Sequence, residues 1–471
     1  MTQEGLTDSF PCTTGVKQGC PASPLLFGLY LDDLEKLLLE ASCHTDHETP
    51  LRPQASARGE GAQGASPASD ESDEVDAPSL LGTLIPLLLF ADDLAIFAYS
   101  ASGLQAQLRI LESFCRDRGL VVNVSKTKIV VFEHRKSACQ PFFFEGEEVA
   151  RVDAFKYLGI VFHSTRGLSC AIDQLVVSAR KALFAMLGRC RQLHIHKPEL
   201  KCRLFDSLVR PILSYACELW SVVVGGKTAM QQLEQVHIGF LRRLLGVPVS
   251  TTKKLIYAEF GRLPLKHFWW KQTARYTQRM HELDDGRLCK TAFVAECRRG
   301  GAWFKGLHAR CEKLGICPPT LGVAFEAPAA VQASEDMYIG WMMQADEGSR
   351  KQLTYFSFKT EFRAEPYISQ AKNVHLRRMI ACFRTGSHWL QVQTGRFSGV
   401  EYQQRHCPTC SEVIEDEQHA LFVCPDYDHL RSKYADLFSS ALDLRSFLTQ
   451  NAVHRVALFL TECRALRIGN N

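Results

Sequence analysis

Two clusters in this 471-residue chain combine side-chain types and spacings that could do chemistry. Asp92 and Asp93 are adjacent carboxylates between two short apolar runs, Leu84 to Phe90 and Leu94 to Ala98, with only Ala91 beside them. Runs this close predict a tight hairpin with the acidic pair at its tip. Neighbours along a strand face opposite sides, so one carboxylate can take a metal directly while the other supports it. Hard carboxylate oxygens suit Mg²⁺, which keeps water and substrate phosphates in its remaining positions. A polar turn that needs Asp only for its backbone angles also explains an isolated Ala-Asp-Asp.

The second cluster is Cys407-Pro-Thr-Cys410, His419 and Cys424. Three thiolates and an imidazole at this spacing match a closed, tetrahedral, structural Zn²⁺ site. His406 and His429 are less well spaced substitutes for His419, and buried free cysteines beside a surface histidine are the other reading. No Lys or Arg lies between Cys407 and Cys424, whereas Glu412, Glu415, Asp416 and Glu417 do. The expected surface is acidic and repels phosphate, so the cluster is expected to hold the C-terminal fold together.

Composition sets the frame for both. Hydrophobic residues make up 46% of the chain and charged residues 23%, as in a folded protein of several domains. The 18 cysteines fall well below the density of a disulfide scaffold, and the first residues have no signal-peptide pattern, so a reducing, intracellular setting, nucleus or cytoplasm, is expected rather than secretion. Asp92 and Asp93 interrupt the longest apolar stretch, which argues against a membrane span. Net charge is +4, but residues 1–100 hold 4 Lys/Arg against 16 Asp/Glu, leaving a basic body behind an acidic front. Such a body suits a polyanion; ordinary solvated helix faces explain it too.

The elements that must position the clusters follow from periodicity. Ser23 and Pro24 open a helix with Leu26, Leu29, Tyr30, Leu34, Leu37 and Leu38 on one side. Residues 43–80, rich in Pro, Gly, Ala, Ser and acids, read as a disordered insertion. Ser102 can cap a second helix carrying Leu104, Leu108, Leu111 and Phe114, which Gly119 ends. The stretches 120–124 and 128–132 read as strands around Ser125 and Lys126. From about Ile172 to Trp220 the period is helical, and residues 176–210 contain eight basic residues, among them Arg180, Lys181, Arg189 and Arg191.

The order of these pieces carries more than any one of them. Gly15-Val-Lys-Gln18-Gly19-Cys-Pro21, Phe90-Ala-Asp92-Asp93, Asn123-Val-Ser-Lys126 and Phe155-Lys-Tyr157-Leu158-Gly159 follow one another, then Tyr215-Ala-Cys-Glu-Leu-Trp220 and the cysteine cluster. This resembles the reverse transcriptases of non-LTR (LINE-type) retrotransposons over most of the chain, excepting the insertion and the last forty-odd residues. The resemblance implies RNA-directed DNA polymerisation on an RNA template and a DNA primer. It gives Gln18, Gly19 and Lys126 contacts with the incoming nucleotide, Asp92 and Asp93 the Mg²⁺, and Tyr157, Leu158 and Gly159 the grip on the primer strand. The expected architecture is an α/β polymerase palm, incomplete, then a mainly α-helical thumb-like region and a small CCHC zinc knuckle. Its boundaries are read as palm 1–163, thumb-like region 164–330, helical connection 331–405, knuckle 406–426 and tail 427–471.

One departure bears on activity. The family's polymerases place another aspartate on a strand several dozen residues before the Gln-Gly loop, with a fingers region ahead of it. Fourteen residues precede Gly15 here, and Asp8 among them lacks that spacing. The chain is therefore expected to be the back part of a polymerase and inactive alone, or else a remnant that binds RNA or DNA without catalysis.

Overall fold

The computed structural model describes residues 15–16, 20–43, 75–133, 140–224, 227–439 and 441–469. The chain divides into two compact units, one comprising Met1–Tyr157 with His163–Thr165 and the other Leu158–Phe162 with Arg166–Asn471.

The first unit packs two helices, Ser23–Cys43 and Ala101–Arg118, around short hairpins. Strand Leu87–Phe90 pairs antiparallel with Asp93–Ile96, and Phe142–Phe144 with Glu147–Val149; each sheet has two strands. Their inward side chains, Leu87, Phe142, Phe144 and Val149, join Leu31, Leu34, Leu38, Leu108, Leu111 and Phe114 in one core. The buried stripe of the first helix is therefore Leu31, Leu34 and Leu38; Leu26, Leu29, Tyr30 and Leu37, expected on the inner side, are exposed. Arg118 fixes this helix by pairing with Asp33, and the Tyr30 hydroxyl donates to the Arg118 carbonyl (2.8 Å).

Three local expectations change. Ser100, not Ser102, caps the second helix, accepting the Gly103 N–H at 3.0 Å, because its extended backbone aims Oγ at the first turn. The segments around Ser125 and Lys126 do not form strands. Asn123 instead bends the chain, its carbonyl accepting the Lys126 and Thr127 N–H groups, and only Ile129 bridges to Arg151. Of the insertion, residues 44–74 lie outside the described residues, but its flanks are structured. Cys43 ends the first helix, Val75 and Ala77 are buried, and Ser79–Leu80 pairs with Thr83–Leu84.

The second unit is largely helical. Its long helices include Ser169–Gln192, Lys227–Leu245, Leu265–Glu282, Ala327–Met343 and Val453–Gly469. The helical stretch read through Trp220 is broken into Ser169–Gln192, Pro198–Leu208, Arg210–Leu213 and Cys217–Trp220, with Phe205, Val209, Leu213 and Trp220 fully buried. One core of buried residues runs from Ile172 to Cys463, so the thumb-like, connecting, knuckle and tail segments share it. At its centre the buried Glu259 carboxylate accepts from the Tyr355 hydroxyl (2.8 Å) and the Arg384 guanidinium (3.1 Å), and Arg384 also reaches Glu365 (2.8 Å). No described helix is long and apolar enough to cross a membrane.

Candidate active site and metal centre

Asp92 and Asp93 occupy the tip of the Leu87–Phe90 and Asp93–Ile96 hairpin, where Phe90 pairs with Asp93. Two residues close the loop, and Ala91 takes φ 55°, the left-handed conformation that two-residue hairpin loops favour and that an alanine adopts at some cost. The pairs Leu87–Ile96 and Leu89–Leu94 face the core, so Asp93 shares the outward face with the exposed Phe90. Both carboxylates are exposed. Two hard, solvent-facing carboxylates fit part of a Mg²⁺ shell, an ion commonly held by one or two carboxylates plus substrate phosphates. Among the described residues, no third carboxylate, imidazole or thiolate converges on them.

Tyr157 lies within the electrostatic reach of Asp93. Partial burial, and then the negative charge of Asp93, hold its phenol above the ordinary tyrosine value. The structure thus brings the end of the Ala154–Tyr157 strand towards Asp93, a proximity that a separation of 64 positions conceals in the sequence. Leu158 and Gly159 close that strand's hairpin with φ 45° and 84°. Lys126 stands in the turn built by Asn123, exposed, and its ammonium has no partner among the described residues. Gln18 and Gly19 lie outside the described residues.

Cys407, Cys410, His419 and Cys424 converge, with one ligand atom from each within 4.8 Å of all the others. Cys407 Sγ and Cys424 Sγ are 3.7 Å apart; two Zn–S bonds of about 2.3 Å at a tetrahedral angle would separate the sulfurs by about 3.8 Å. Both ring nitrogens of His419 are buried without a hydrogen-bond partner, an arrangement that costs free energy unless something binds them. Burial, reinforced by the neighbouring Cys407, pushes the Cys424 thiol up to about 12. The residues present fit a tetrahedral metal.

The scaffold of this centre was not visible in the sequence. A turn from Cys407 to Ser411, with Ser411 at φ 55°, is closed by the Cys407 N–H donating to the Val413 carbonyl (2.7 Å). The acids expected to face solvent are mostly internal struts. Glu415 is buried, accepting from Arg467 Nε (2.8 Å) and the Gln391 N–H (2.7 Å). Glu417 meets His388 Nε2 (2.8 Å), and Asp416 accepts the His419 N–H (2.8 Å). Only Glu412 of the four is exposed, so the acidic, phosphate-repelling surface is a misreading. Its cause is long-range pairing: the partners of Glu415 and Glu417 lie 52 and 29 residues away.

Of the basic residues between 176 and 210, Arg180, Lys181, Arg191, Lys197 and Arg203 are exposed without an ion pair among the described residues. Arg210 is instead engaged, paired with Asp206 (3.3 Å) and stacked on Phe268 (4.5 Å).

Residues 1–162 match the family described as reverse transcriptase (RNA-dependent DNA polymerase). A transposon-derived protein of Caenorhabditis elegans is 25% identical over 171 residues, covering 35% of this chain and 58% of that protein. The Pol polyprotein of a type-2 retrotransposable element of Drosophila melanogaster is 25% identical over 266 residues, 54% of this chain and 20% of the polyprotein. The RNA-directed DNA polymerase of the mobile element jockey, from the same fly, is 23% identical over 169 residues, 34% of this chain and 18% of that enzyme. The chain thus spans well under two thirds of the length of each of these relatives.

Proposed function

We propose that the reverse transcriptase domain of retrotransposon origin carried by residues 1–162 belongs to an RNA-directed DNA polymerase that elongates a DNA primer on an RNA template. The observation that carries this reading is the exposed Asp92-Asp93 pair at a hairpin tip, inside the segment that matches the family, with Tyr157 in the field of Asp93. Asp92 and Asp93 would hold Mg²⁺, which when bound neutralises charge on the attacking and leaving oxygens of an in-line phosphoryl displacement. Lys126 presents an unpaired ammonium to the departing pyrophosphate, Gln18 and Gly19 lie against the nucleotide, and the Tyr157-Leu158-Gly159 turn grips the primer. The exposed Arg180, Lys181 and Arg191 track the phosphate backbone of the duplex. The Cys407, Cys410, His419 and Cys424 centre binds one structural Zn²⁺.

Two carboxylates with no third among the described residues make a weak cation site, so this chain by itself is a template-primer binder that does not extend. Primer extension in Mg²⁺ tests this. The unmodified chain gives no product, a fusion behind a fingers and first-palm segment of a close relative extends, and Asp92→Asn in that fusion abolishes extension. Extension by the unmodified chain that survives Asp92→Asn would refute the assignment of the pair.

A further inference from the structure

Among the described residues, the proposed grip turn is clamped in a way that no other hairpin turn of the same kind is. Three hairpins close with two consecutive left-handed residues: Leu81 and Gly82 (φ 53° and 86°), Glu145 and Gly146 (49° and 78°), and Leu158 and Gly159 (45° and 84°). This is the φ pattern of a type I′ turn, which favours glycine at its second position and strains a leucine or glutamate at its first. A methyl group built on Gly82 or Gly146 would meet nothing within 4 Å, whereas on Gly159 it would lie 2.9 Å from the ring of Tyr215. The Tyr215 hydroxyl also donates to the Leu158 carbonyl at 2.7 Å. The turn type thus forms twice in this chain without any such ring, so Tyr215 is not needed to make the turn.

Tyr215 is itself rigidly mounted. Its carbonyl accepts the indole N–H of Trp220 (2.8 Å), and the following Ala216 is left-handed at φ 51°. Trp220 packs edge-on against Trp269 at 5.2 Å, both fully or nearly fully buried, and Trp269 Nε1 donates to Ser214 Oγ (3.0 Å). Two tryptophans at the core of the helical unit therefore fix the Tyr215 carbonyl and the preceding Ser214, while the Tyr215 ring stays about half exposed. A phenol anchored at its base, bonded to one turn residue and flush against the next, holds the turn at one height and angle.

We infer that Tyr215 is a positioning residue for the Leu158–Gly159 turn, and that its hydroxyl and ring set the chain's selectivity for the recessed 3′ end of a primer annealed to RNA. This deepens the polymerase reading and rests on it. Alignment at a strand terminus tolerates little misplacement, and a turn free to rock by its strained leucine would grip a terminus no better than a continuous duplex. Holding it costs no ligand binding energy, because the hydrogen bond and the ring contact exist before the primer arrives.

The test measures equilibrium binding of the full chain to a fluorescent RNA–DNA hybrid with a recessed DNA 3′ end and to a blunt hybrid of equal length, together with amide exchange at residues 157–160. The chain is expected to prefer the recessed end. Tyr215→Phe should cut that preference by about fivefold, the scale of one hydrogen bond, speed exchange in the turn, and leave blunt-duplex affinity and its salt slope unchanged. Gly159→Ala should likewise cut the preference and speed exchange in the turn, by pushing against the ring. Gly82→Ala, equally strained but without a ring above it, should leave the preference intact and so controls for general destabilisation. Tyr215→Phe with wild-type preference would overturn the role of Tyr215 alone. An equal loss in Gly82→Ala would do so too, by tracing the effect to stability. No preference in the wild-type chain would overturn the primer-grip reading itself, and this inference with it.

Discussion

Removing the metal from the cysteine-histidine centre should unfold more than the centre. Its four donors are drawn together to within 4.8 Å, the 3.7 Å between Cys407 and Cys424 sulfurs nearly equals the separation two zinc bonds impose, and the ring nitrogens of His419 have no hydrogen-bond partner. Cys407, Ala420, Leu421 and Cys424 belong to the same core as Phe447, Phe459 and Leu460, and Glu415 beside them anchors Arg467 of the last helix. Structural zinc binds such sets with an apparent free energy on the order of 10 kcal/mol or more at neutral pH. At a free zinc level about 1,000 times the dissociation constant, the native state gains about 4 kcal/mol. For a unit of this size that corresponds to a Tm shift of about 6 °C. The assay is metal analysis of purified protein alongside thermal melts with and without a chelator. One zinc per chain is expected, lost in Cys410→Ser plus Cys424→Ser, with the melt falling in step. A zinc content near zero, one unaffected by the double substitution, or a melt indifferent to chelation would refute the reasoning.

Three further outcomes follow from the second unit. Arg384→Met should destabilise it by about 3–5 kcal/mol in denaturant melts, because Glu259 is left buried and charged without its cation; a loss under 1 kcal/mol would show that the tyrosines suffice. Burial, then the charge of Arg396, pushes the Lys351 ammonium down to about 8 from its ordinary 10.5. Between those values the unfolded chain binds more protons, so this lysine's contribution to stability rises with pH from 8 to 10.5 by at most ~3 kcal/mol, a rise that Lys351→Met should erase from the pH profile. Replacing Arg180, Lys181 and Arg191 with Ala should reduce the salt slope of nucleic-acid binding by about 2–3, since each neutralised phosphate contributes roughly one unit; an unchanged slope would make them a solvated helix face.

What the sequence made legible was local. The hairpin around Asp92 and Asp93 and the two-residue gap from Cys407 to Cys410 are short-range patterns, and the chain folds them where they stand. Side-chain identity along a helix was less informative. Of the eight leucines in the first helix only Leu31, Leu34 and Leu38 are buried, and leucines spread around the whole helix leave periodicity little with which to rank its faces. Charge counts failed for a related reason. Glu415 and Glu417 look like solvent-facing acids until Arg467 of the last helix and His388 of a distant loop reach them, and Tyr215 looks like one aromatic among many until it meets Gly159.

The placement of the acidic pair shows what the first unit asks of its surroundings. A two-stranded hairpin is marginal on its own, and this one gains its hold through one face only, where Leu87, Leu89, Leu94 and Ile96 meet the Ser23–Cys43 and Ala101–Arg118 helices. Its other face carries Leu88, Phe90 and Asp93 into solvent, and the first helix likewise leaves Leu25, Leu26, Leu29 and Leu37 uncovered. Exposed apolar residues of this size mark a surface suited to being covered. Two-metal chemistry demands that reacting oxygens be held in line, where an error of about 1 Å costs orders of magnitude in rate. A tip braced on one face meets that demand only when nucleic acid or protein rests against the other. Under the proposed function, binding and catalysis would therefore be separable, and catalysis would be the one that depends on covering the outer face of the hairpin.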